Sequence, residues 1–432
     1  MASDLDRVLE AVDALAGELV SFTADLIAIP TVNPPGEAYE PCARHIGDTL
    51  RGFGFETQYY TAAGLPEHRP DYPRVNVVGV RRGRRKRPCV HLNGHLDVVP
   101  AGDGWTVEPF GRTVRGDRIY GRGSTDMKGG LAAAIFAAEA IRRAGVALEG
   151  TVEVSATVDE ESGGFAGVAW LARQGVLSSD RADHVIIPEP FGVDRISVGH
   201  RGVYWCEVTT EGRTAHGSMP FFGVNAVDAM AAVLTGIRDE LQPTLAARRT
   251  AMPVVPDGAR AATLNVNGIR GGQADVAGQT PCVPDRCAAV LDRRFLPEES
   301  LDDVRAEIAG HVARALDGRP GVRHEMRDLM IVEPVRTPNG SPVVTALSGA
   351  VREIVGRGAQ LVASPGTYDQ KHFKRIAGID DCVAYGPGCL DLAHQPDEWV
   401  GIEDLVTSTK VLAAAVLQLV GQASAPALPG ES

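Results

Sequence analysis

The stretch Cys89-Val-His-Leu-Asn-Gly-His-Leu-Asp97 begins as a short apolar run and ends in an imidazole and a carboxylate. Apolar runs of this length that are bounded by polar residues are typical of buried strands. Polar groups that follow such a strand lie at its carboxyl end, which is where open α/β sheets bind ligands. The stretch therefore predicts a buried strand that presents His95 and Asp97 to a site at the rim of a sheet.

Four more apolar, β-branched runs share this character, and helical patterns separate many of them. These runs lie at residues 75–80, 151–158, 184–187 and 382–385. The helical patterns lie at residues 12–29, 129–142, 168–173 and 402–419. Because strands that alternate with helices are typical of layered α/β domains, the sequence predicts an α/β fold with a mostly parallel central sheet.

The middle of the chain has a different order of elements. Strands are predicted at residues 203–209, 263–269, 286–295 and 322–330, and helices at 224–241 and 301–316. This β-α-β-β-α-β order is typical of a ferredoxin-like α+β domain. We therefore predict an inserted domain at 197–329 and a discontinuous α/β domain made of 1–196 and 330–432.

Composition narrows the class of partner. The 432 residues contain 43 Lys and Arg against 55 Asp and Glu, a net charge of −12 that argues against nucleic acid or an anionic membrane as the main partner. Seven scattered cysteines without a C-x-x-C motif indicate a reducing compartment. The longest apolar stretch, residues 131–138, is too short for a bilayer span. These features favour a cytoplasmic protein that acts on a small molecule.

Acidic and imidazole side chains follow the predicted strands at four well-separated places. They are His95 and Asp97, Asp159 to Glu161, Glu189, and His394. So many like charges lie together only if a cation neutralises them, and two imidazoles with three carboxylates suit zinc, cobalt or manganese. The sequence therefore predicts a divalent metal site, with Asp97 placed to orient His95.

Asp126 lies in a glycine-rich segment, residues 121–130, that precedes an apolar helix. One interpretation is that Asp126 only caps this helix. The other is that its carboxylate faces the same rim and bridges two metal ions. The residues alone leave both interpretations open.

Together these motifs resemble the M20 metallopeptidase and amidohydrolase family, and within it the acetylornithine deacetylase and succinyl-diaminopimelate desuccinylase branch. The motifs that support the resemblance lie at residues 94–100, 121–130, 159–161, 188–190 and 393–398. The resemblance extends from about residue 29 to residue 419. It implies a metallopeptidase-type catalytic domain with an inserted lid and dimerisation domain.

The resemblance also implies roles for individual residues of the large domain. The implied ligands of two divalent ions are His95, Asp126, Glu161, Glu189 and His394, with Asp126 bridging the ions. Glu160 becomes the general base, Asp97 supports His95, and the Asp126–Met127 peptide is expected to be cis.

Further roles fall on the inserted domain and on a later loop. His216 matches a lid histidine that reaches across a homodimer interface to stabilise an oxyanion. Asn265 and Arg294 match positions that hold a substrate carboxylate, with Arg293 as the alternative to Arg294. Gly366 and Thr367 match a substrate-binding loop.

The resulting functional hypothesis is metal-dependent hydrolysis of a C–N bond, namely the amide of an N-acyl amino acid or a related small carboxylate. One alternative keeps the chemistry and changes the substrate to a dipeptide, a carbamoyl compound or an aromatic amine such as a nitroanthranilate. A second alternative is a non-catalytic metal-binding protein on the same scaffold.

Overall fold

The structure, a computed structural model of the chain, describes residues 2–65, 69–272 and 281–421. The chain divides into two compact units. The large unit contains the described residues within 1–199, 336–362 and 368–432, and the small unit those within 200–335 and 363–367. The predicted lid role of the inserted domain stays a prediction, and residues 422–432 of the predicted large domain lie outside the described residues.

Regular elements alternate along the chain. The helices are α1 (Asp4–Ala28), α2 (Tyr39–Gly52), α3 (Gly129–Arg143), α4 (Val168–Arg173), α5 (Ala226–Gly236), α6 (Gln242–Ala246), α7 (Leu301–Leu316), α8 (Pro342–Val355), α9 (Gln370–Arg375) and α10 (Ile402–Val420). The strands are β1 (Glu56–Thr61), β2 (Val75–Arg81), β3 (Cys89–His95), β4 (Thr113–Arg115), β5 (Arg118–Tyr120), β6 (Thr151–Thr157), β7 (His184–Ile187), β8 (Arg195–His200), β9 (Gly202–Glu211), β10 (Thr263–Gly271), β11 (Arg286–Phe295), β12 (Arg323–Val332), β13 (Val335–Arg336), β14 (Gln360–Ser364), β15 (Cys382–Ala384) and β16 (Trp399–Gly401).

The main sheet of the large unit has the strand order β1-β2-β6-β3-β7-β15-β8. The pairs β6–β3, β3–β7 and β7–β15 are parallel. The outer pairs β1–β2, β2–β6 and β15–β8 are antiparallel. The predicted α/β class is confirmed, with parallel pairing among the four central strands of a mixed sheet. Because the central strands are parallel, their carboxyl ends lie at the same rim.

Helix α3 is buried on every side. All residues from Gly129 to Ile141 are buried, and the helix packs against β3, α1 and α10. A helix without a polar face has to lie inside the protein, and its glycines and alanines let neighbouring elements come close. At Gly130 an added Cβ would lie 1.9 Å from the carbonyl oxygen of Pro188. This contact fixes α3 against the end of β7, immediately before Glu189.

Helix α1 begins at Asp4, earlier than the predicted start at residue 12. The Ser3 side chain accepts a hydrogen bond from the Asp6 amide, and the Asp6 carboxylate accepts one from the Ser3 amide. This reciprocal capping box satisfies two amides that the helix leaves free. The buried side chain of Val8 then extends the apolar stripe of the helix by one turn.

The small unit contains an antiparallel sheet with the strand order β10-β11-β9-β12. Helices α5 and α7 pack against each other and, with the sheet, enclose a separate hydrophobic core that includes Tyr204, Met230, Leu291 and Ile308. Apart from the short helix α6 between α5 and β10, the element order β9-α5-β10-β11-α7-β12 is the predicted ferredoxin-like order.

No helix in the described residues combines the length and the apolar character that crossing a membrane requires.

Replacing Gly130 by alanine is expected to destabilise the protein by about 1–3 kcal/mol, because the new methyl group would collide with backbone that cannot move aside. Gly17, inside α1, is the matched control, since an added Cβ there meets nothing within 4 Å. Gly17→Ala is expected to stabilise by up to about 1 kcal/mol. Urea unfolding of both variants measures the difference, and equal effects would contradict the packing argument.

Candidate metal centre

Three neighbouring strands deliver the first group of side chains to one rim of the sheet. β3 ends in His95, with Asp97 two residues later, β6 ends shortly before Glu160 and Glu161, and β7 ends shortly before Glu189. Strands β6, β3 and β7 are parallel neighbours, so their carboxyl ends lie side by side. The structure thus brings these predicted site residues together.

Two other segments of the large unit complete the cluster. Asp126 lies in the turn Ser124–Lys128 that leads into α3, where its backbone is non-helical with φ −120° and ψ 96°, and the Asp126–Met127 peptide is cis, as the resemblance implied. His394 follows the 3-10 turn Leu390–Leu392 and has a left-handed backbone with a φ of 63°.

The cluster consists of two groups of possible metal ligands that share Asp126. One group is His95, Asp126 and Glu189, the other is Asp126, Glu161 and His394, and within each group the ligand atoms lie within 4.8 Å of one another. Asp126 Oδ1 lies 3.1 Å from Nε2 of His95, and Asp126 Oδ2 lies 3.4 Å from Nε2 of His394. One oxygen of Asp126 therefore serves each group, which is the arrangement of a carboxylate that bridges two ions.

The donors of both groups fit divalent ions that are intermediate between hard and soft. Each group offers only imidazole nitrogens and carboxylate oxygens, which suit zinc, cobalt or manganese. His394 is 48% exposed, whereas the side chains of His95 and Glu161 are 1% and 8% exposed. The centre is thus closed on the side of the sheet and accessible beside His394.

The two imidazoles attract protons strongly in the absence of ions. Burial opposes the charged form of His95, but its hydrogen bond with Asp126 and the charge of Glu189 outweigh burial and raise its pKa well above the usual value. Hydrogen bonds with Asp126 and Glu161 raise the pKa of His394 to about 10. Positive charge on these rings compensates the crowded carboxylates.

The carboxylates respond to the same crowding. Burial, together with the charge of Asp126, raises the pKa of Glu161 to about 7 and that of Glu189 well above its usual value. Burial also opposes the charge of Asp126, but the hydrogen bonds from His394 and His95 hold its pKa below the usual range. Asp126 is therefore the carboxylate that stays ionised most readily.

Asp97 supports the centre in a way that differs from the predicted one. The carbonyl oxygen of Asp97, at 2.9 Å, is nearer to Nδ1 of His95 than its carboxylate, at 3.7 Å. The carboxylate is used elsewhere, because it accepts the backbone N–H groups of Glu160 at 3.1 Å and Glu161 at 3.2 Å, and the side-chain amide of Asn33 at 3.0 Å. Asp97 thus orients the imidazole with its backbone and fixes the Glu160–Glu161 turn with its side chain.

Glu398 and Arg122 hold the backbone of Asp126, a role that the sequence did not predict. Glu398 Oε1 accepts hydrogen bonds from the amides of Thr125 at 2.9 Å and Asp126 at 3.1 Å, and Oε2 accepts one from Arg122 at 2.6 Å. Both residues lie within motifs that support the family resemblance. Their charge inside those motifs was the available signal, but only tertiary structure shows the partner.

Asp159 also holds the Glu160–Glu161 turn in place, a role that the sequence did not predict. It accepts hydrogen bonds from the Tyr39 hydroxyl at 2.8 Å and from Arg74 Nε at 2.9 Å, and all three side chains are buried. Since Asp159 immediately precedes Glu160, these contacts fix the entry to the Glu160–Glu161 turn.

The remaining predicted residues belong to the small unit. His216 is exposed, and its Nδ1 accepts hydrogen bonds from the Ser218 amide at 3.1 Å and from the Ser218 hydroxyl at 2.7 Å. In a neutral imidazole whose Nδ1 is an acceptor, the proton lies on Nε2. His216 therefore offers an N–H donor at Nε2.

Asn265 and Arg294 lie on adjacent antiparallel strands, and Asn265 is paired with Asp292. Asp292 binds Arg294 through two parallel contacts of 2.7 and 3.0 Å. Arg293 is fully buried and forms an ion pair with Glu299, whereas Arg294 is partly exposed.

Gly366 and Thr367 lie in the segment 363–367 of the small unit. The Gly366 amide donates to the Ser364 hydroxyl at 3.2 Å, and the neighbouring carbonyl of Pro365 accepts two contacts from Arg201 at 3.2 and 3.3 Å. These contacts fix the shape of the loop.

Comparison with known proteins gives a consistent result. The model of peptidase family M20/M25/M40 matches residues 91–418. Succinyl-diaminopimelate desuccinylase 2 of Ruegeria sp. (strain TM1040) is 28% identical over 398 residues, covering 89% of this chain and 91% of the relative. N-formyl-4-amino-5-aminomethyl-2-methylpyrimidine deformylase of Bacillus subtilis (strain 168) is 29% identical over 421 residues, with coverages of 91% and 93%.

Solved structures share the fold at lower identity. Human carnosine dipeptidase 1 superposes with a TM-score of 0.75 at 20% identity, covering 97% of this chain and 99% of that chain. A Bacillus subtilis protein described as a dinuclear metal binding peptidase from the M20 family gives a TM-score of 0.68 at 17% identity, with coverages of 94% and 99%.

Replacing Glu398 by glutamine is expected to weaken metal binding by about 10- to 100-fold, because the brace on the Asp126 backbone loses its charge. Glu403→Gln, at an exposed glutamate on α10, is the control and should leave affinity unchanged. Titration of the metal-free proteins with cobalt measures both constants. Wild-type affinity in Glu398→Gln would show that the brace does not act on the centre.

Metal binding is expected to release protons and to become tighter between pH 6 and pH 8. At neutral pH the metal-free centre holds protons on His394, with a pKa of about 10, and partly on Glu161, with a pKa of about 7. Ligands bind metal only after losing these protons, so raising the pH favours binding. Calorimetric titrations in buffers of different ionisation enthalpy count the protons, and a buffer-independent heat would contradict this linkage.

Proposed function

The chain belongs to peptidase family M20/M25/M40 and is a hydrolase that acts on amide bonds; from this premise we propose that it is a two-metal deacylase of N-acyl amino acids or closely related small carboxylates. The observation that carries the proposal is the pair of ligand groups that share Asp126. In the proposed assignment, His95 and Glu189 would hold one ion, Glu161 and His394 would hold the other, and Asp126 would contribute an oxygen to each.

Zinc, cobalt or manganese at these positions would acidify water and polarise an amide carbonyl. Glu160 is the proposed general base, because it lies on the same fixed turn as Glu161. It accepts a proton as the water oxygen bonds to the carbonyl carbon. It then donates this proton to the amine nitrogen as the C–N bond breaks, so that the amine leaves neutral.

His216 is the proposed donor to the oxyanion that forms when water adds to the carbonyl group. Its Nε2 carries the proton, because Nδ1 accepts from Ser218. Donors of this kind contribute about 3–4 kcal/mol where they have been measured. By resemblance, we assign this role to His216 of a second copy of the chain, in a homodimer.

The substrate carboxylate is proposed to bind Arg294 and Asn265. Arg294 is the partly exposed arginine on its strand, and Asp292 holds its guanidinium plane in place. A planar guanidinium suits a carboxylate because it donates in parallel. Gly366 and Thr367 are proposed to contribute backbone and hydroxyl donors to the same substrate.

The proposed compartment is the reducing cytoplasm. All seven cysteines are free thiols. Two of them, Cys282 and Cys389, are at least partly exposed to solvent. Free, accessible thiols persist in a reducing environment.

Replacing Glu160 by glutamine is expected to lower kcat by about 10²- to 10⁴-fold, because the base for the water proton is lost. Metal content should remain at the wild-type level. Glu161→Gln is the matched variant of the next residue and is expected to lose metal as well as activity. Metal analysis and turnover of a reconstituted protein measure both effects.

The substrates for this experiment are N-acyl amino acids, dipeptides, carbamoyl compounds and aromatic amines, with products identified by mass spectrometry. Cleavage of N-acyl amino acids above the other classes supports the proposal. Full activity of Glu160→Gln would remove Glu160 as the base. Metal binding without turnover of any class would favour a non-catalytic metal protein.

A further inference from the structure

Helix α9 (Gln370–Arg375) holds the segment that carries Glu160. Lys371 Nζ lies 3.5 Å from Glu160 Oε1, and His372 Nε2 donates to the carbonyl oxygen of Gly163 at 2.7 Å. Two consecutive residues of one helix thus contact both ends of the segment 160–163, and all of these residues belong to the large unit.

The segment that carries Glu160 packs closely against α9. A Cβ added to Gly164 would lie 2.5 Å from Asp369 Oδ1 and 3.0 Å from the ring of His372. The ring of Phe165 lies 5.8 Å from that of His372. The position of α9 therefore fixes the position of the segment.

Buried polar contacts fix α9 in turn. Asn93, on the strand that ends in His95, donates to Asp369 Oδ2 at 3.3 Å and accepts from the Ser155 hydroxyl at 2.7 Å. Gln370 donates to the Thr337 hydroxyl at 3.1 Å. Since α9 is attached to β3, the base and His95 are held by one connected set of contacts.

Lys371 is unusual because it is a buried cation at the edge of an anionic centre. The Lys371 side chain is 4% exposed. Among the described residues, Glu160 supplies the carboxylate that lies within 4 Å of Lys371 Nζ. Burying an ammonium group is costly unless it has a partner. Lys374 on the same helix illustrates the ordinary case, since it pairs with the largely exposed Asp380.

We propose that Lys371 is a positioning residue for Glu160. Its ammonium group donates to Oε1 and thereby directs Oε2 towards the water whose proton Glu160 accepts. This inference rests on the proposed function, in which Glu160 is the general base.

A lysine that acts through Glu160 affects kcat more than KM. Lys371→Met keeps the length of the side chain and removes the donor, so kcat is expected to fall by about 10- to 100-fold while KM changes less than about twofold. Lys371→Arg restores a donor and a positive charge, so it should recover most of kcat. Lys374→Met is the matched control and should behave as wild type in turnover and metal content.

The decisive measurement combines Lys371→Met with Glu160→Gln in the metal-loaded protein. If Lys371 acts only through Glu160, its substitution adds no further loss to the Glu160→Gln variant. The same fold loss in both backgrounds would overturn the proposal. So would a raised KM with unchanged kcat, because that result assigns Lys371 to substrate binding.

Thermal unfolding of wild type, Lys371→Met, Glu160→Gln and the double variant tests the contact without any turnover. The Tm changes of Lys371→Met and Glu160→Gln are expected to be non-additive, whereas additive changes would overturn the contact and with it the proposal. Should Lys371→Met fail to fold, Lys371→Arg and Lys371→Gln replace it in the same cycle. Absence of turnover in wild type, with non-additive Tm changes, would instead place the failure in the proposed function.

Discussion

Asp126 offers one carboxylate oxygen to each of two ligand groups, and the large unit is organised to keep it there. Its turn leads into α3, which is buried from Gly129 to Ile141. Its amide is held by Glu398, and Glu398 by Arg122. The parallel strands β6, β3 and β7 then bring the other ligands to the same rim. A bridging carboxylate demands this rigidity because a small displacement would break its contact with one of the two groups.

Charge around the centre is balanced pair by pair. Arg74 faces Asp159, Arg122 faces Glu398, and Lys371 faces Glu160, each pair being largely buried. Buried ion pairs add little net stability, because desolvation offsets most of the attraction. Their value here is geometric, since each cation holds a carboxylate or its segment in one orientation. The ligand groups are therefore enclosed by pairs that specify shape, while Asp126 and Glu161 contact the imidazoles of His95 and His394.

Much of this arrangement could be predicted from the sequence, for identifiable reasons. His95, Glu161 and Glu189 follow apolar runs, and periodicity places such runs as strands. Helix α2 was missed because it begins after Ala38, which has a left-handed backbone and no capping side chain. The contact between Lys371 and Glu160 could not be predicted, since the two residues lie far apart in sequence and the contact depends on how α9 packs. Local pattern thus predicted the candidate ligands, whereas the residues that hold them in place depend on tertiary contacts.

The raised proton affinity of the centre has a consequence for the apoprotein. A structural zinc site unfolds when a chelator removes its ion. This centre can instead take up protons on His95, His394, Glu161 and Glu189. Those protons would replace the positive charge of the lost ions. Since the hydrophobic core of the large unit packs without these residues, we expect the apoprotein to stay folded after a chelator removes bound ions.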